Sequence, residues 1–348
     1  MRILPNDENF TYCGRIDWNN PEALVFVYPC SLVQMRFTGT TLKIYVRNHN
    51  AYWKNYLGYI LDGKQGVLQL PQEGDAVFEI KAEAQQGREH EFLLFKRQDA
   101  CHEFAFLGAA TEDCEKIIKY PLSTKRRILV FGDSVSAGEV SEAVDYAGKE
   151  DPPHNGEYSN SWYSYAWITA RKLNAQLHDI AQGGIALMDK TGWFCEPKAV
   201  GMETVWNKVH YNPMLGAVTR WASSQYTPQV VIVAIGQNDS HPQDYMAQDY
   251  DGEQASVWRN HYKGFLKKLR MTYPNAAIIC CTTLLIHDAA WDRAIGQAVQ
   301  EMNDEKITQY LFNRNAVATP GHLRIPEAQE MADELASYIE TLDIPNWE

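Results

Sequence analysis

The sequence of 348 residues has little that would tie it to a metal, a membrane or a nucleic acid. Its seven cysteines include no CxxC pair, which argues against a zinc or iron–sulfur site. No uninterrupted apolar stretch reaches the ~18 residues that a membrane-spanning helix needs. Lys and Arg number 32 against 44 Asp and Glu, and the net charge of −12 disfavours a protein that tracks phosphates. We therefore expect no metal, no cofactor, no membrane and no nucleic-acid partner.

At the start of the sequence no signal peptide is visible, because there is no apolar h-region and no small-residue cleavage site. We expect a cytoplasmic protein, or a secreted one if a leader has been removed. What the sequence has in excess is aromatic: 41 residues, of which 10 are Trp, 19 Tyr and 12 Phe. Such rings stack on flat, hydroxyl-rich ligands or pack a core, and composition does not decide between these roles.

Two halves differ in their hydrophobic pattern. Residues 1–124 contain many short β-rich runs at intervals of roughly 8–12 residues with turn signals between them, which is typical of an antiparallel sandwich or barrel. Residues 125–348 alternate apolar strands with longer amphipathic stretches. The strands are predicted at 128–131, 230–235 and 276–281, and more weakly at 176–180 and 316–318. The helices are predicted at about 160–174, 254–272, 290–312 and 326–342. This alternation predicts a parallel sheet covered on both faces.

Four short motifs lie where a parallel sheet collects its chemistry, at or near the carboxyl ends of strands. Ser134 stands in a Gly-Asp-Ser turn directly after the first apolar strand, and Gly184 follows the weaker strand at 176–180. Asn238 stands in a Gly-Gln-Asn-Asp turn after another strand, and His322 precedes the last helix. A serine hydroxyl, backbone N–H groups near glycine and an amide donor suit a nucleophile with an oxyanion hole. Taken singly, each motif also fits an ordinary turn, helix cap or surface residue.

The order of these motifs resembles the SGNH (GDSL-type) hydrolase superfamily over residues 125–348. With the preceding sandwich, the layout is similar to carbohydrate esterase family 2, the two-domain deacetylases that act on plant polysaccharides. The resemblance rests on the segments 37–42, 128–134 and 159–166, and on Gly321-His322 before 331–335. It implies a jelly-roll sandwich at 1–124, followed at 125–348 by a three-layer α/β hydrolase domain that is flavodoxin-like.

The resemblance also implies roles. Ser134 would be the nucleophile and His322 the base, and the oxyanion hole would comprise the N–H groups of Ser134 and Gly184 with the Asn238 side chain. The substrate would be an acetylated carbohydrate, and no metal would be required. Trp193 is the first candidate for a sugar platform and Trp291 the second, with ordinary packing as the alternative for both.

One position departs from the superfamily pattern. An Asp usually stands two or three residues before the histidine, but this sequence has Thr319 and Pro320 there. Three explanations stay open: a backbone carbonyl orients His322, a carboxylate from another loop does so, or the protein is a poor enzyme or none. We expect Ser134→Ala to abolish ester cleavage and Thr319→Asp to change it little.

Other readings also stay open. A GDSL lipase or thioesterase would prefer longer acyl chains, and a non-catalytic carbohydrate-binding protein would bind sugar without turnover. The polar insertion at 139–158 either overhangs the site or is a passive surface loop. Residues 1–124 could bind sugar, cover one side of the cleft or drive homo-oligomerisation, and the sequence does not distinguish these roles.

Overall fold

The first half of the chain is a sandwich of two antiparallel sheets. The computed structural model describes residues 2–83, 88–112, 115–122 and 124–347. Its first eleven strands are β1 (Thr11–Cys13), β2 (Ile16–Asp17), β3 (Leu24–Phe26), β4 (Leu32–Phe37), β5 (Thr41–Asn50), β6 (Tyr56–Leu61), β7 (Lys64–Gln69), β8 (Gly74–Lys81), β9 (His90–Lys96), β10 (His102–Thr111) and β11 (Ile117–Ile118). One sheet has the order β1-β4-β9-β6-β7 with β11 beside β4, and the other has the order β2-β3-β10-β5-β8.

The sandwich core lies between these sheets. In β5 the side chains of Leu42, Ile44 and Val46 are fully buried, whereas the alternate residues Lys43 and Tyr45 are only half-buried. This period of two follows from the alternation of side chains along a strand, and it directs one face of β5 to the core. The predicted antiparallel sandwich is confirmed.

The second half is an α/β domain. Its strands are β12 (Arg127–Gly132), β13 (Gln176–Ala181), β14 (Val230–Ala234), β15 (Ala277–Cys281) and β16 (Ile307–Gln309). Its helices are α1 (Ser134–Ala137), α2 (Tyr165–Lys172), α3 (Met202–Val205), α4 (Tyr245–Gln248), α5 (Glu253–Thr272), α6 (Ala289–Met302) and α7 (Ile325–Glu340). The strands are parallel in the order β13-β12-β14-β15-β16, which is the flavodoxin-like order.

Helices cover both faces of this sheet. In β12, Leu129 and Phe131 belong to one buried cluster with residues of α5 and α6, and Ile128 and Val130 belong to another with residues of α2 and α7. A strand that is buried on both sides must be apolar at successive positions, and this explains the uninterrupted Ile-Leu-Val-Phe run. The predicted three-layer α/β domain is confirmed.

Two predicted elements in the C-terminal part are wrong. The helix predicted at 290–312 ends at Met302, where Asn303 takes a left-handed conformation with φ of 49°. The chain then returns to the sheet as β16, which pairs in parallel with β15. The weak strand predicted at 316–318 does not form. A three-residue edge strand leaves too short a periodic signal to be separated from the helix before it.

The two halves pack closely against each other. Val27 and Tyr28 of the sandwich half join the cluster on one face of the parallel sheet, and Cys30 and Phe95 join the cluster on the other. The fully buried Arg15 donates hydrogen bonds to the carbonyls of Trp206 and Lys208, both at 2.8 Å. These contacts hold the sandwich against the α/β domain. In the described residues, no helix combines the length and apolar character needed to cross a membrane.

Candidate active site

A cavity of about 480 Å³ lies at the carboxyl ends of β12, β13 and β14. It brings together five residues singled out from the sequence, Ser134, Gly184, Trp193, Asn238 and His322, but not Trp291. The sandwich half closes part of the wall with Tyr52, Trp53 and Asp99. The remaining lining residues are Glu139, His154, Gly183, Phe194, Cys195, Met214, Leu285 and Gly321. The loops that follow parallel strands meet at one edge of the sheet, so distant sequence positions share this space.

Ser134 is the first residue of the short helix α1. Asp133 caps this helix, since its side chain accepts a hydrogen bond from the Val135 N–H at 3.0 Å. Burial raises the pKa of Asp133 to about 6. Gly138 ends the helix in a left-handed conformation, with φ of 74°. The strand–turn–helix geometry places Ser134 in the cavity wall, and N–H groups of a first helical turn have no partner inside the helix.

The Gly184 and Asn238 segments are bonded to each other. The Asn238 side-chain amide donates to the Ile185 carbonyl at 3.1 Å. Gly184 has φ of +71°, and its carbonyl accepts the Trp193 N–H at 2.8 Å. Asp239 accepts the Leu187 N–H at 2.7 Å, and burial raises the pKa of its carboxyl group to about 7. The two segments predicted to supply oxyanion donors are thus fixed against one another.

Asp99, which belongs to the sandwich half, also forms hydrogen bonds that fix the segment leading to Gly184. Its Oδ2 accepts the Gly183 N–H at 2.8 Å and the Gln182 side-chain amide at 2.6 Å. A Cβ atom at Gly183 would lie 2.8 Å from Asp99 Oδ2 and 2.6 Å from Glu139 Oε2, so any other residue there would have to displace these carboxylate groups. Of the roles considered for residues 1–124, covering one side of the cleft is therefore observed. The sandwich also holds the backbone that leads into Gly184.

His322 is oriented by a carboxylate from a distant loop. Its Nδ1 lies 2.6 Å from Asp151 Oδ2, and its backbone N–H donates to Asp151 Oδ1 at 3.0 Å. Arg324, which is fully buried, contacts Asp151 Oδ1 through Nη1 at 2.9 Å. A Cβ atom at Gly321 would come within 2.5 Å of the Asp151 carboxyl group, so this glycine makes room for the acid.

Among the three explanations for the missing acid, the observed geometry is that of a carboxylate from another loop. Thr319, at the usual position of the acid, instead accepts the Gly148 N–H through Oγ1 at 3.1 Å. Asp151 belongs to the insertion at 139–158, so this segment is part of the site and not a passive loop. Sequence reasoning left Asp151 unassigned, because 171 positions separate it from His322. Its signal was the acidic and histidine content of a loop that follows the nucleophile turn.

Two further residues of the insertion join this network. Glu139 Oε1 lies 2.7 Å from His154 Nδ1, and His154 Nε2 lies 3.0 Å from Asp151 Oδ2. Glu139 Oε2 is 3.8 Å from His322 Nε2. Hydrogen bonds to Asp151 and Glu139 raise the pKa of His154 to about 10. Burial alone would raise the pKa of Asp151, but its bonds to His154 and His322 hold that pKa well below the usual range.

Part of this cluster also has the residue types of a metal centre. Ligand atoms of Asp151, His154 and His322 all lie within 4.8 Å of one another. However, contacts of 2.6 and 3.0 Å already join these atoms to each other, so their donor and acceptor groups are used in hydrogen bonds.

Ser134 and His322 line one cavity but are not hydrogen-bonded to each other in the described residues. The hydrogen bond between a catalytic nucleophile and its base is often long or poorly aligned until substrate binds.

The two tryptophans considered as sugar platforms differ completely. Trp193 is 56% exposed and lines the cavity, where its ring stacks on His241 with centroids 3.3 Å apart. Trp291 is 0% exposed, and its indole N–H donates to Asp244 at 3.1 Å within the core. The interpretation of Trp291 as a sugar platform is therefore wrong, and it packs instead. Trp53, which sequence analysis did not single out, is a second partly exposed ring in the wall.

A parallel sheet that presents a serine after its first strand and a histidine before its last helix, in one cavity, defines a GDSL-type hydrolase domain. Family models agree with this class. A carbohydrate esterase 2 N-terminal model matches residues 12–121, and a GDSL-like lipase/acylhydrolase model matches residues 128–332. The chain belongs to carbohydrate esterase family 2, an esterase family with this domain pair.

Individual relatives are distant but cover most of the chain. "Cellulase/esterase CelE" of Acetivibrio thermocellus is 26% identical over 303 residues, which span 86% of this chain and 34% of that protein. The chain thus matches about a third of that relative's length. "Acetylxylan esterase / glucomannan deacetylase" of Cellvibrio japonicus is 24% identical over 311 residues, spanning 88% and 80%. A solved family two carbohydrate esterase from Clostridium thermocellum, in complex with cellohexaose, superimposes with a TM-score of 0.78 at 25% identity and covers 95% of this chain and 98% of that one.

Proposed function

We propose that the protein is a serine esterase that removes O-acetyl groups from plant polysaccharides or oligosaccharides. The observation that carries the proposal is the 2.6 Å contact between Asp151 and His322 Nδ1, in a histidine that shares one cavity with Ser134. A carboxylate on Nδ1 leaves Nε2 free to take a proton and stabilises the imidazolium that forms. The missing acid next to His322 is the only support in the sequence for a non-catalytic protein, and the 2.6 Å contact of Asp151 with His322 argues against that alternative.

In the proposed reaction, Ser134 Oγ bonds to the acetyl carbonyl carbon while His322 Nε2 takes the hydroxyl proton. The carbonyl oxygen becomes an oxyanion and accepts hydrogen bonds from the Ser134 N–H, the Gly184 N–H and the Asn238 amide. Collapse of this intermediate breaks the bond to the sugar oxygen, which receives the proton from His322. Water then attacks the acetyl-enzyme by the same proton route and releases acetate. Each oxyanion donor contributes on the order of 10²–10³ in rate in comparable enzymes.

The cavity supports a carbohydrate as the alcohol part of the ester. Trp193 and Trp53 offer exposed ring faces, and aromatic faces suit the apolar face of a sugar. Glu139 places a carboxylate group in the wall, where it suits a sugar hydroxyl donor. The names of the relatives also support this substrate class: one is an acetylxylan esterase and glucomannan deacetylase, and another was solved with cellohexaose.

The test is acetate release from acetylated xylan and from acetylated xylo-oligosaccharides. Ser134→Ala should abolish release, whereas Ser224→Ala should leave it unchanged, because Ser224 is exposed before the amino end of β14, at the opposite edge of the sheet. Retained hydrolysis by the Ser134→Ala protein would refute the assignment. Nitrophenyl esters from acetyl to octanoyl test the lipase alternative, which requires activity to rise with chain length. Sugar binding without acetate release would instead identify a binding protein.

A further inference from the structure

We propose that His154 is a positioning residue of this site. It bridges Glu139 and Asp151, and its positive charge offsets the negative charge of these two carboxylates, which face His322. His154 thereby keeps His322 in the neutral form that can act as a base at neutral pH. The inference rests on the proposed esterase function. His154 itself is not placed in contact with the reacting atoms, and it acts through the two carboxylates.

The bridge requires a charged His154. Its Nδ1 lies 2.7 Å from Glu139 Oε1 and its Nε2 lies 3.0 Å from Asp151 Oδ2. A carboxylate only accepts hydrogen bonds, and a neutral imidazole carries a single N–H. Both contacts can therefore be hydrogen bonds only when His154 is the imidazolium, and the raised pKa of about 10 agrees with this. The Trp53 ring packs edge-on to His154 with centroids 6.1 Å apart and adds no charge.

His322 lies between the same two carboxylates. Asp151 Oδ2 is 2.6 Å from Nδ1, and Glu139 Oε2 is 3.8 Å from Nε2, on the side that must accept the serine proton. Burial alone would lower the pKa of His322, but Glu139 and then Asp151 outweigh burial, so that pKa is raised. The His154 charge acts in the opposite direction and lowers the pKa of His322. The ring centroids of the two histidines are 5.2 Å apart.

The other charged groups near this cluster do not replace His154. Among the described residues, Arg324 forms an ion pair with Asp151 through Oδ1 and none with Glu139. Asp99 and Asp133 add further negative charge close to Glu139 and His322. Without His154, Glu139 would lose its hydrogen-bonded cation and Asp151 would keep only Arg324, so the two carboxylates would favour the imidazolium form of His322 more strongly. A protonated His322 cannot accept the Ser134 proton, so the free base would be scarce at neutral pH.

The direct test is an NMR pH titration of His322 in protein labelled with ¹³C-histidine, in the presence of EDTA, with the signal assigned from His322→Asn. In His154→Gln the pKa of His322 should rise by roughly one to two pH units, from a unit charge at 5.2 Å and an effective dielectric constant of about 20–40. The double variant Glu139→Gln/His154→Gln removes one charge of each sign and should bring this pKa back toward the wild-type value. An unchanged His322 pKa in folded His154→Gln would overturn the inference.

Kinetics separate this electrostatic role from a structural one. In His154→Gln the acid limb of kcat/KM should move to higher pH with the His322 pKa, with a roughly 10- to 100-fold loss near pH 6 that recovers in alkaline solution. An equal loss at every pH would overturn the proposal. If His154→Gln does not fold, Glu139→Gln alone must lower the His322 pKa, and the absence of that change is equally decisive.

These outcomes are distinguishable from failure of the proposed function. The titration needs no turnover and can be made on Ser134→Ala protein. If Ser134→Ala still releases acetate, the esterase assignment fails whatever His322 does. If Ser134 is essential and His322 titrates alike with and without His154, only the present inference fails.

Discussion

Replacement of Asp151 by Asn tests the structural assignment of the acid most directly. The substitution keeps the size of the side chain and removes the charge that faces His322 Nδ1 at 2.6 Å. It also changes the partner of Arg324 Nη1, which in the wild-type protein lies 2.9 Å from Asp151 Oδ1. We expect a large loss in kcat with a small change in KM, because the charge of Asp151 is needed most when His322 becomes an imidazolium.

The magnitude follows from the distance. Removal of a unit charge at 2.6 Å, with an effective dielectric constant of about 40, costs the developing imidazolium ~3 kcal/mol, or roughly 10²-fold in rate. Loss of the correct ring tautomer adds to this cost, and the corresponding change in a serine protease lowers kcat by ~10⁴. Glu139, 3.8 Å from Nε2, supplies some negative charge that remains after the change. We therefore expect kcat to fall by between about 10² and 10⁴.

The assay is steady-state hydrolysis of p-nitrophenyl acetate, with circular dichroism to establish folding. Asp145→Asn is the matched control, because Asp145 belongs to the same insertion but is exposed, and it should change kcat less than twofold. A folded Asp151→Asn protein with more than a tenth of the wild-type kcat would refute the assignment of Asp151 as the acid.

Three other expectations follow from the site and the core. Asp99→Ala should lower kcat by about tenfold or more with little change in KM, because it releases the Gln182–Gly183 backbone that leads to the proposed oxyanion donor. A normal kcat would contradict this role of Asp99. Trp193→Ala should raise KM for acetylated oligosaccharides about two- to tenfold, from the ~0.5–1.5 kcal/mol of a lost ring contact, and should affect p-nitrophenyl acetate less. Equal effects on both substrates would remove Trp193 as a platform. Trp291→Ala should instead destabilise the protein by ~3–5 kcal/mol in denaturant unfolding, because its indole is fully buried, and a stable variant would contradict its place in the core.

Much of the architecture could be predicted from local pattern. The apolar run at Ile128–Phe131 must be buried on both faces, and the alternation at Leu42–Val46 must be buried on one, whatever the rest of the chain does. Where local signals were short, the prediction failed. The three-residue strand β16 depends on pairing with β15, and no local signal separates it from helix α6 before it.

The residues of the candidate site were likewise predictable from the sequence only in part. Ser134, Gly184, Asn238 and His322 could be picked out because each stands next to a strand end or before a helix, and parallel strands bring such ends to one edge. Trp193 and Trp291 could not be separated by sequence, because only the packing decides which of the two rings is exposed.

The sequence by itself determined the two-part fold, the order of the chemical motifs and the absence of an acid beside His322. Only the tertiary structure decided which carboxylate faces His322 instead: Asp151, 171 positions away, approaches it together with Glu139 and His154 of the same loop. The structure also decided the part played by the sandwich, since Asp99 reaches Gly183 only because the two halves share their buried cores. The physical reason is that hydrophobic periodicity is a local property of the chain, whereas the partner of a charged group depends on which loops the fold brings within hydrogen-bond distance.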